Sequence, residues 1–487
     1  MVCLTADYPA CLLPTYSKRD SMKKIFGFYP DIDFYGLSQS ISAVPFLMSR
    51  KVLITTLFLL LPGISMTVCA DDNGINSPFS RYGMGLLSKQ GQGFNTGMAG
   101  LAYGMRDGRE LNFKNPASYT AIDSLSFLFD AGITLQNGNF DAGKVSSNIK
   151  DATFDYVAMG FRINKYLGMS LGVMPFSNVG YEIATAGDIF DAGTMGEIYP
   201  TNSYSGSGGT HQLYGGVGFA PVRPLSIGVN VSYFWGVMEH YAINSYSDSQ
   251  TQSLSRGYTT NIRTYKLDFG LQYQQPLGKA HSLTLGAVYG LGHDISSDSY
   301  FINQRLSGST VLAGDTLVAK KAWSIPHTFG VGLTWTYKRH LRIGVDYAFE
   351  KWSSATMPTL TQNQQGALVY APSSADYTDC QKITAGVEYV PASDGLRWRN
   401  RIRYRAGFSY SDSYTKIRGG NGPKTYLATV GVSLPIINAH SNRSFLNAAL
   451  QFERVNPSVA GQLKETYLKL SLGVSFNERW FMKWKVK

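Results

Sequence analysis

Two runs of this chain set chemically capable side chains at fixed spacing. Residues 168–172 read Gly-Met-Ser-Leu-Gly, the Gly-x-Ser-x-Gly pattern that presents a serine nucleophile on a strand-to-helix elbow. Ser170 instead sits inside an alternating apolar segment with no helical pattern after it, so the elbow context fails and acyl chemistry is not expected there. Between residues 397 and 405 arginine occupies every second position: Arg397, Arg399, Arg401, Arg403 and Arg405. On an extended strand that spacing puts the guanidinium groups on one face. Arg401, Arg403 and Arg405 could there grip a carboxylate or another anionic head group bidentately. The competing reading is a charge ladder balanced by acids on other strands, such as Glu388 and Glu453. The seven histidines show no paired ligand spacing. Gly91-x-Gly93 lacks the third glycine and the preceding strand of a dinucleotide site. No metal, cofactor or catalytic centre is therefore expected.

The elements that must carry these residues are strands. From Leu125 onward apolar side chains alternate with polar ones in segments of roughly ten residues separated by Gly, Asn, Asp, Ser and Pro, as in transmembrane β-strands. Leu125, Phe127, Phe129, Ala131, Ile133 and Leu135 oppose Ser126, Asp130, Thr134 and Gln136, so one face suits lipid and the other water. Fourteen such segments are predicted, near 124–136, 151–163, 167–185, 208–220, 224–241, 258–275, 280–294, 323–337, 341–352, 379–390, 400–411, 424–434, 444–455 and 464–477. An even number is what a closed single-chain barrel requires.

The predicted connections alternate between short ones, such as 164–166, 221–224 and 338–340, and long polar ones, such as 186–207, 295–322 and 353–378. Short inner turns and long outer loops, with both termini in the periplasm, are the topology of an outer-membrane barrel. A soluble sandwich or propeller also alternates, but explains neither that rhythm nor the aromatics at strand ends. No long apolar helix is needed, because a barrel spans a bilayer without one. The aromatic-ended last strand, with Leu468, Leu470, Leu472, Val474 and Phe476 on one face, suits recognition by barrel-assembly machinery.

Ahead of the strands, Ser49-Arg50-Lys51, the apolar run 52–61 and Val68-Cys69-Ala70 read as a secretory signal peptide over 48–70. Residues 1–47 then form an over-extended N-terminus, 71–122 a plug and 123–487 the barrel. Three of the four cysteines precede residue 71 and leave Cys380 alone, so no internal disulfide is expected. The formal net charge is +11, yet the basic residues gather in no helix or tail, so nucleic acid is not an expected partner. A lumen or an anionic lipid surface of the outer membrane is.

Residues 77–119 combine eight glycines with Met84, Leu86, Leu87, Phe94, Met98, Leu101, Tyr103, Leu111 and Phe113, too much apolar surface to leave in water. A fourteen-strand lumen has room that side chains alone do not fill, so this segment is expected inside it. The third strand alternates cleanly from Leu167 to Val173 and then meets Pro175. Proline cannot donate to a ladder, so the wall is expected to part there.

The run GMAGLAYGMRDGRELNFKNPASYTAIDSLSF, residues 97–127, resembles the N-terminal hatch of the FadL/TodX-like outer-membrane long-chain fatty acid transporters, in which an Asn-Pro-Ala motif stands just ahead of the first strand. Asn115, Pro116 and Ala117 match that motif. The resemblance implies an all-β fold, a 14-stranded antiparallel transmembrane β-barrel with the hatch in its lumen. It also implies passive transport of hydrophobic or amphipathic, fatty-acid-like molecules, released laterally at a kink in the third strand. Asn115, Pro116, Ala117, Pro175, Phe176 and Gly180, with Arg401, Arg403 and Arg405, are then the gating or substrate-binding candidates, and the Asn-Pro-Ala end is expected beside Pro175. Two other readings stay open: a carrier barrel of a secretion or surface-attachment system, whose outer loops hold an exported protein, and a lipid hydrolase embedded in the barrel.

Overall fold

The computed structural model describes residues 76–479 apart from 143–145, 188–189, 192–196, 249–250, 309, 393–396, 418, 437–443 and 459–462. The expected leader and N-terminal extension, 1–70, lie outside the described residues. Fourteen antiparallel strands close into one barrel. They are β1 (Ser126–Asp141), β2 (Ser146–Arg162), β3 (Leu167–Ala186), β4 (Pro200–Val222), β5 (Leu225–Tyr246), β6 (Ser253–Leu277), β7 (His281–Gly290), β8 (Thr328–Tyr337), β9 (Leu341–Glu350), β10 (Cys380–Tyr389), β11 (Arg403–Ser411), β12 (Lys424–Ile436), β13 (Ser444–Asn456) and β14 (Lys464–Arg479). Each pairs with the next, and β1 pairs with β14 from Ser126↔Arg479 to Asp141↔Lys464, which closes the wall.

The alternation in sequence becomes an inside-out protein. Ile133, Val231, Leu285, Val331, Val345, Phe408, Val430 and Leu470 project outward and are exposed, whereas Asp130, Asn230, Gln272, Asp346, Arg405 and Asn447 are buried inside. A soluble sandwich would bury the first set and expose the second. Tyr166, Tyr273, Tyr389, Trp398 and Tyr404 are exposed near the inner ends of the strands, the position of an interfacial aromatic girdle. The chain is thus an outer-membrane β-barrel.

The structure corrects the expected topology in three respects. Strand height varies: β3 to β6 run 20, 23, 22 and 25 residues, against 10 each for β7 to β10. At about 3.3 Å per residue, the tall strands rise well past a membrane band about 25 Å high. The outer connections, expected to be polar, carry a core of their own. Short hairpins there bury Trp323, Trp352, Met357, Tyr377 and Tyr414 against Tyr181, Phe234, Met238 and Ile262 of the tall strands, forming a dome. Length rhythm is also looser than expected, since the outer connection 142–145 is shorter than the inner connection 390–402.

Residues 77–122 fill the lumen below the dome. They hold little regular structure: a 3₁₀ turn (Pro78–Arg81), a two-residue strand (Leu86–Leu87), one helical turn (Gly93–Thr96) and a second 3₁₀ turn (Pro116–Ala121). Met84, Phe94, Met98, Leu101, Leu111, Phe113 and Tyr119 are all buried. Glycine on the inner wall admits this backbone. A Cβ on Gly286 of β7 would overlap the Tyr103 carbonyl, and one on Gly228 of β5 the Pro116–Ala117 peptide. The plug starts in the outer half of the lumen, where Ser77 N–H donates to the Gly180 carbonyl (2.9 Å) and Ser77 Oγ to Glu465 Oε1 (2.6 Å). The described part of the plug therefore descends from the outer half of the lumen at Ser77 to the inner rim at Ile122.

Candidate functional site

Pro175 marks a real change in the wall. β2 and β3 pair only from Arg162↔Gly168 to Val157↔Val173, while β2 continues upward paired to β1 as far as Ser146. On its other side β3 stays with β4, but slips register between Pro175↔His211 and Ser177↔Thr210, leaving Phe176 as a bulge. A residue without an N–H at this point explains both the bulge and the parting. The freed edge of β3 is not empty. Leu86 and Leu87 pair with Asn178 and Ser177, Ser88 N–H donates to the Phe176 carbonyl (2.8 Å), and Ser80 Oγ bonds both the carbonyl (3.0 Å) and the N–H (3.1 Å) of Gly180. Phe176 packs edge-on against Phe234, with centroids 4.9 Å apart. Phe176 and Gly180 are thus the docking points of the plug's first residues.

The Asn-Pro-Ala end lies elsewhere. Asn115 caps the Pro116–Ala121 turn by accepting from Ala117 N–H (3.2 Å), with Pro116 at the first helical position where its missing N–H costs nothing. Asn115 Nδ2 donates to the Tyr103 (2.9 Å) and Leu271 (3.2 Å) carbonyls. Pro116 and Ala117 lie against Gly218, Gly228 and Gly270 of β4 to β6. Gly228 pairs with Gly218 on β4, whereas Pro175 pairs with His211 higher on that strand. The expected adjacency of Ala117 and Pro175 is corrected by this: inner-face glycines low on β4 to β6, not the parting of β2 and β3, receive the motif.

Further contacts fix the plug from the wall. Asp346 of β9 accepts from the N–H groups of Ala102 (2.6 Å) and Tyr103 (2.9 Å). Gln272 Nε2 donates to the Tyr103 and Met105 carbonyls, each 3.0 Å away. Tyr119 Oη donates to Asn230 Oδ1 (2.9 Å).

The arginine row divides. Arg401 lies in the Trp398–Arg401 turn before β11 begins, so it is off the inner strand face. Arg403 and Arg405 point inward into a lattice with the plug. Arg405 reaches Glu110 at 2.5 Å and Glu388 at 2.7 Å; Arg403 reaches Asp107 and Glu110, each at 3.1 Å. Arg342 of β9 joins at 2.6 Å from Asp107 and 3.2 Å from Glu388. Burial pushes the Asp107 carboxyl up, but Arg342 and Arg403 outweigh it and hold it well below the usual carboxylate range. Three guanidinium groups facing three carboxylates leave Arg403 and Arg405 no fork for an incoming anion. Glu388 is the expected counter-charge, but Glu453 serves other cations, Lys89 of the plug (2.6 Å) and Lys469 (2.8 Å). Asp107 and Glu110 escaped the sequence reading because partners almost three hundred residues away have no local signature.

Above the plug lies a cavity of about 430 Å³. It reaches the parted wall, touching Phe154 and Asp155 on β2 and Pro175 and Phe176 on β3, and its floor carries Phe113 and Lys114. Lys114 Nζ has a single long contact to the Gly100 carbonyl (3.4 Å). Burial, with Lys382 adding to it, lowers its pKa to about 7. Sequence reasoning missed Lys114; its place one residue before the Asn-Pro-Ala motif was the available signal. Ser170 is buried, its hydroxyl donating to the Met159 carbonyl (3.0 Å) and meeting Tyr214 Oη (2.9 Å).

A closed fourteen-strand barrel enclosing a clamped N-terminal plug and a cavity that meets a break in its third strand has the fold of the FadL/TodX-type outer-membrane channels. Among solved structures the chain is similar to the Ralstonia pickettii toluene transporter TbuX (TM-score 0.54, 14% identity, covering 80% of this chain and 99% of that one). It is likewise similar to a Pseudomonas aeruginosa FadL homologue (0.54, 12%, 80% and 98%) and to the CymD monoaromatic hydrocarbon channel (0.53, 12%, 80% and 97%). At these identities the likeness is one of fold. Residues 48–487 match the model of the BamG family, and the chain belongs to that family. No protein of curated function is similar to it in sequence.

Proposed function

We propose that the barrel binds a hydrophobic or amphipathic small molecule in the lumen cavity and exchanges it passively with the membrane between β2 and β3. The observation that carries this reading is that one cavity touches both lips of the parted wall, Phe154 on β2 and Phe176 on β3, and also Lys114. A volume of about 430 Å³ is within the about 300–1,000 Å³ typical of small-ligand sites. The apolar part of the ligand lies toward Phe176, and an anionic head group meets Lys114 and Lys382. The gate is the start of the plug: when residues 77–88 leave the β3 edge, the cavity opens sideways. The solved relatives in fold are described as toluene or monoaromatic hydrocarbon channels, which supports an apolar cargo of this general kind.

The test is a reversible tether. Leu87 and Ser177 are register partners, close enough for a disulfide when both are Cys, in a background with Cys380→Ser. In proteoliposomes the oxidised double variant is expected to stop uptake of a labelled fatty acid, and reductant to restore it. Equal flux in both states sinks the gate.

A second reading is favoured by the family assignment together with the packed dome over the outer mouth. Here the barrel is an accessory of the outer-membrane protein assembly machinery, and its outer surface holds another protein. Isolation in mild detergent with identification of co-purifying chains distinguishes the two. A stable stoichiometric protein partner combined with no lipid flux selects the accessory role.

A further inference from the structure

We infer that a pocket beside the dome is a binding site for an acidic sugar. It measures about 220 Å³ and shares no lining residue with the lumen cavity. Tyr181 of β3, His240 of β5, Tyr258 of β6 and Trp323, Tyr370 and Tyr377 of the outer connections wall it, and Arg81 from the plug's first turn stands at its side.

Three observations fix the chemistry. First, the walls are flat rings: Tyr258 and Tyr370 have centroids 6.1 Å apart, and Tyr181 stacks with His240 at 5.8 Å. Rings of this kind offer an apolar face with a polar tip, matching a pyranose, which has a C–H face and a hydroxyl rim. Second, the tips are unused. The phenol groups of Tyr258, Tyr370 and Tyr377 form no hydrogen bond with any described residue, although Tyr370 and Tyr377 are buried. An acyl chain in this pocket would leave those hydroxyls unpaired, which is costly; sugar hydroxyls would satisfy them. Third, Arg81 lies 4.2 Å above the Tyr204 ring and has no carboxylate partner among the described residues. That charge selects against a cationic head group and for a carboxylate or phosphate on the sugar. The volume is below the about 300 Å³ where drug-sized sites begin, which fits one ring at the end of a chain. Such a sugar can come from the membrane's glycolipid or from a glycan on an exported protein.

The experiment is calorimetric titration of the full-length protein in detergent with glucuronate and with glucose. Glucuronate is expected to bind saturably and more tightly than glucose. Arg81→Gln is expected to weaken glucuronate by about tenfold, the scale of one charge-assisted hydrogen bond, and to leave glucose unchanged. Tyr370→Phe should weaken both. Arg81 is exposed, so its substitution does not threaten folding, and an unchanged thermal unfolding midpoint of the Arg81→Gln barrel serves as the control. Lipid-free core oligosaccharide and an acidic glycopeptide then separate the two sources, and binding of either supports the site. No saturable glucuronate binding, equal affinity for both sugars, or no binding of either oligosaccharide overturns it.

Discussion

Lys114 and Arg405 are both cations inside the same lumen, yet only one of them is placed to meet a ligand. Arg405 is enclosed by Glu110 and Glu388, so its work is to hold the plug. Arg403→Gln is therefore expected to loosen the plug rather than weaken a ligand. Removing one member of a buried charge cluster costs about 3–5 kcal/mol, to be read as earlier proteolysis within residues 77–122 and a lower urea midpoint. Lys114 has a pKa lowered to about 7, and the sign follows directly. Above that pH the folded protein holds the amine neutral, while the unfolded chain keeps its proton up to about pH 10.4. Stability of the empty barrel should thus rise between pH 7 and about 10, while affinity for a fatty acid falls over the first part of that window. Lys114→Gln should lower affinity by about tenfold at pH 6 and abolish the pH dependence. A pH-independent wild-type affinity refutes the role.

At the scale of elements, the strands were legible because lipid outside and water inside dictate a period of two along every one of them, as Leu285 out and Thr284 in illustrate. The break at Pro175 was legible for an equally local reason, the absent N–H. What fills the break was not, since Leu86–Leu87 is two residues long and has no pattern to read. The seat of Asn115, Pro116 and Ala117 is written in the wall instead of the plug. Gly218, Gly228 and Gly270 fall on inner positions, and only their pairing across β4 to β6 turns them into a surface. Gly286→Val tests the same principle at the neighbouring seat of Tyr103 on β7. The added side chain collides with the Tyr103 carbonyl, and overpacking of this kind costs about 1–3 kcal/mol. The barrel should still form, but amide exchange at Ala102 and Tyr103 should accelerate, because the clamp from Asp346 is lost when that backbone shifts. Unchanged exchange would mean that the wall yields instead.

For the whole molecule, plug, wall and dome meet at the first turn of the plug. Met84 is buried with Trp323, Trp352 and Tyr414 of the dome, and Tyr414 Oη donates to the Gly85 carbonyl (2.5 Å). Deleting residues 77–88 should therefore act at both ends, unsealing the β2–β3 edge and loosening the dome. Higher fatty-acid flux together with easier protease cutting in 351–379 is the expected pair of effects. Higher flux alone would separate gate from dome. The dome was hidden from the sequence because its apolar residues are scattered over separate connections that only the tall strands bring together.

The direction of the plug also constrains how the molecule is made. Its first described residues are bonded in the outer half of the lumen, at Gly180 and Glu465, and its last ones at the inner rim, while the β1–β14 seam joins the two ends of the barrel sequence. A finished cylinder would have to admit the plug end-first past Arg403, Arg405 and Asp346, the wall groups that hold it in place. The expected order is that the wall wraps around a plug already lying in place and the β1–β14 seam closes last, so a cysteine pair across that seam should cross-link during assembly only after the plug has become protected from protease.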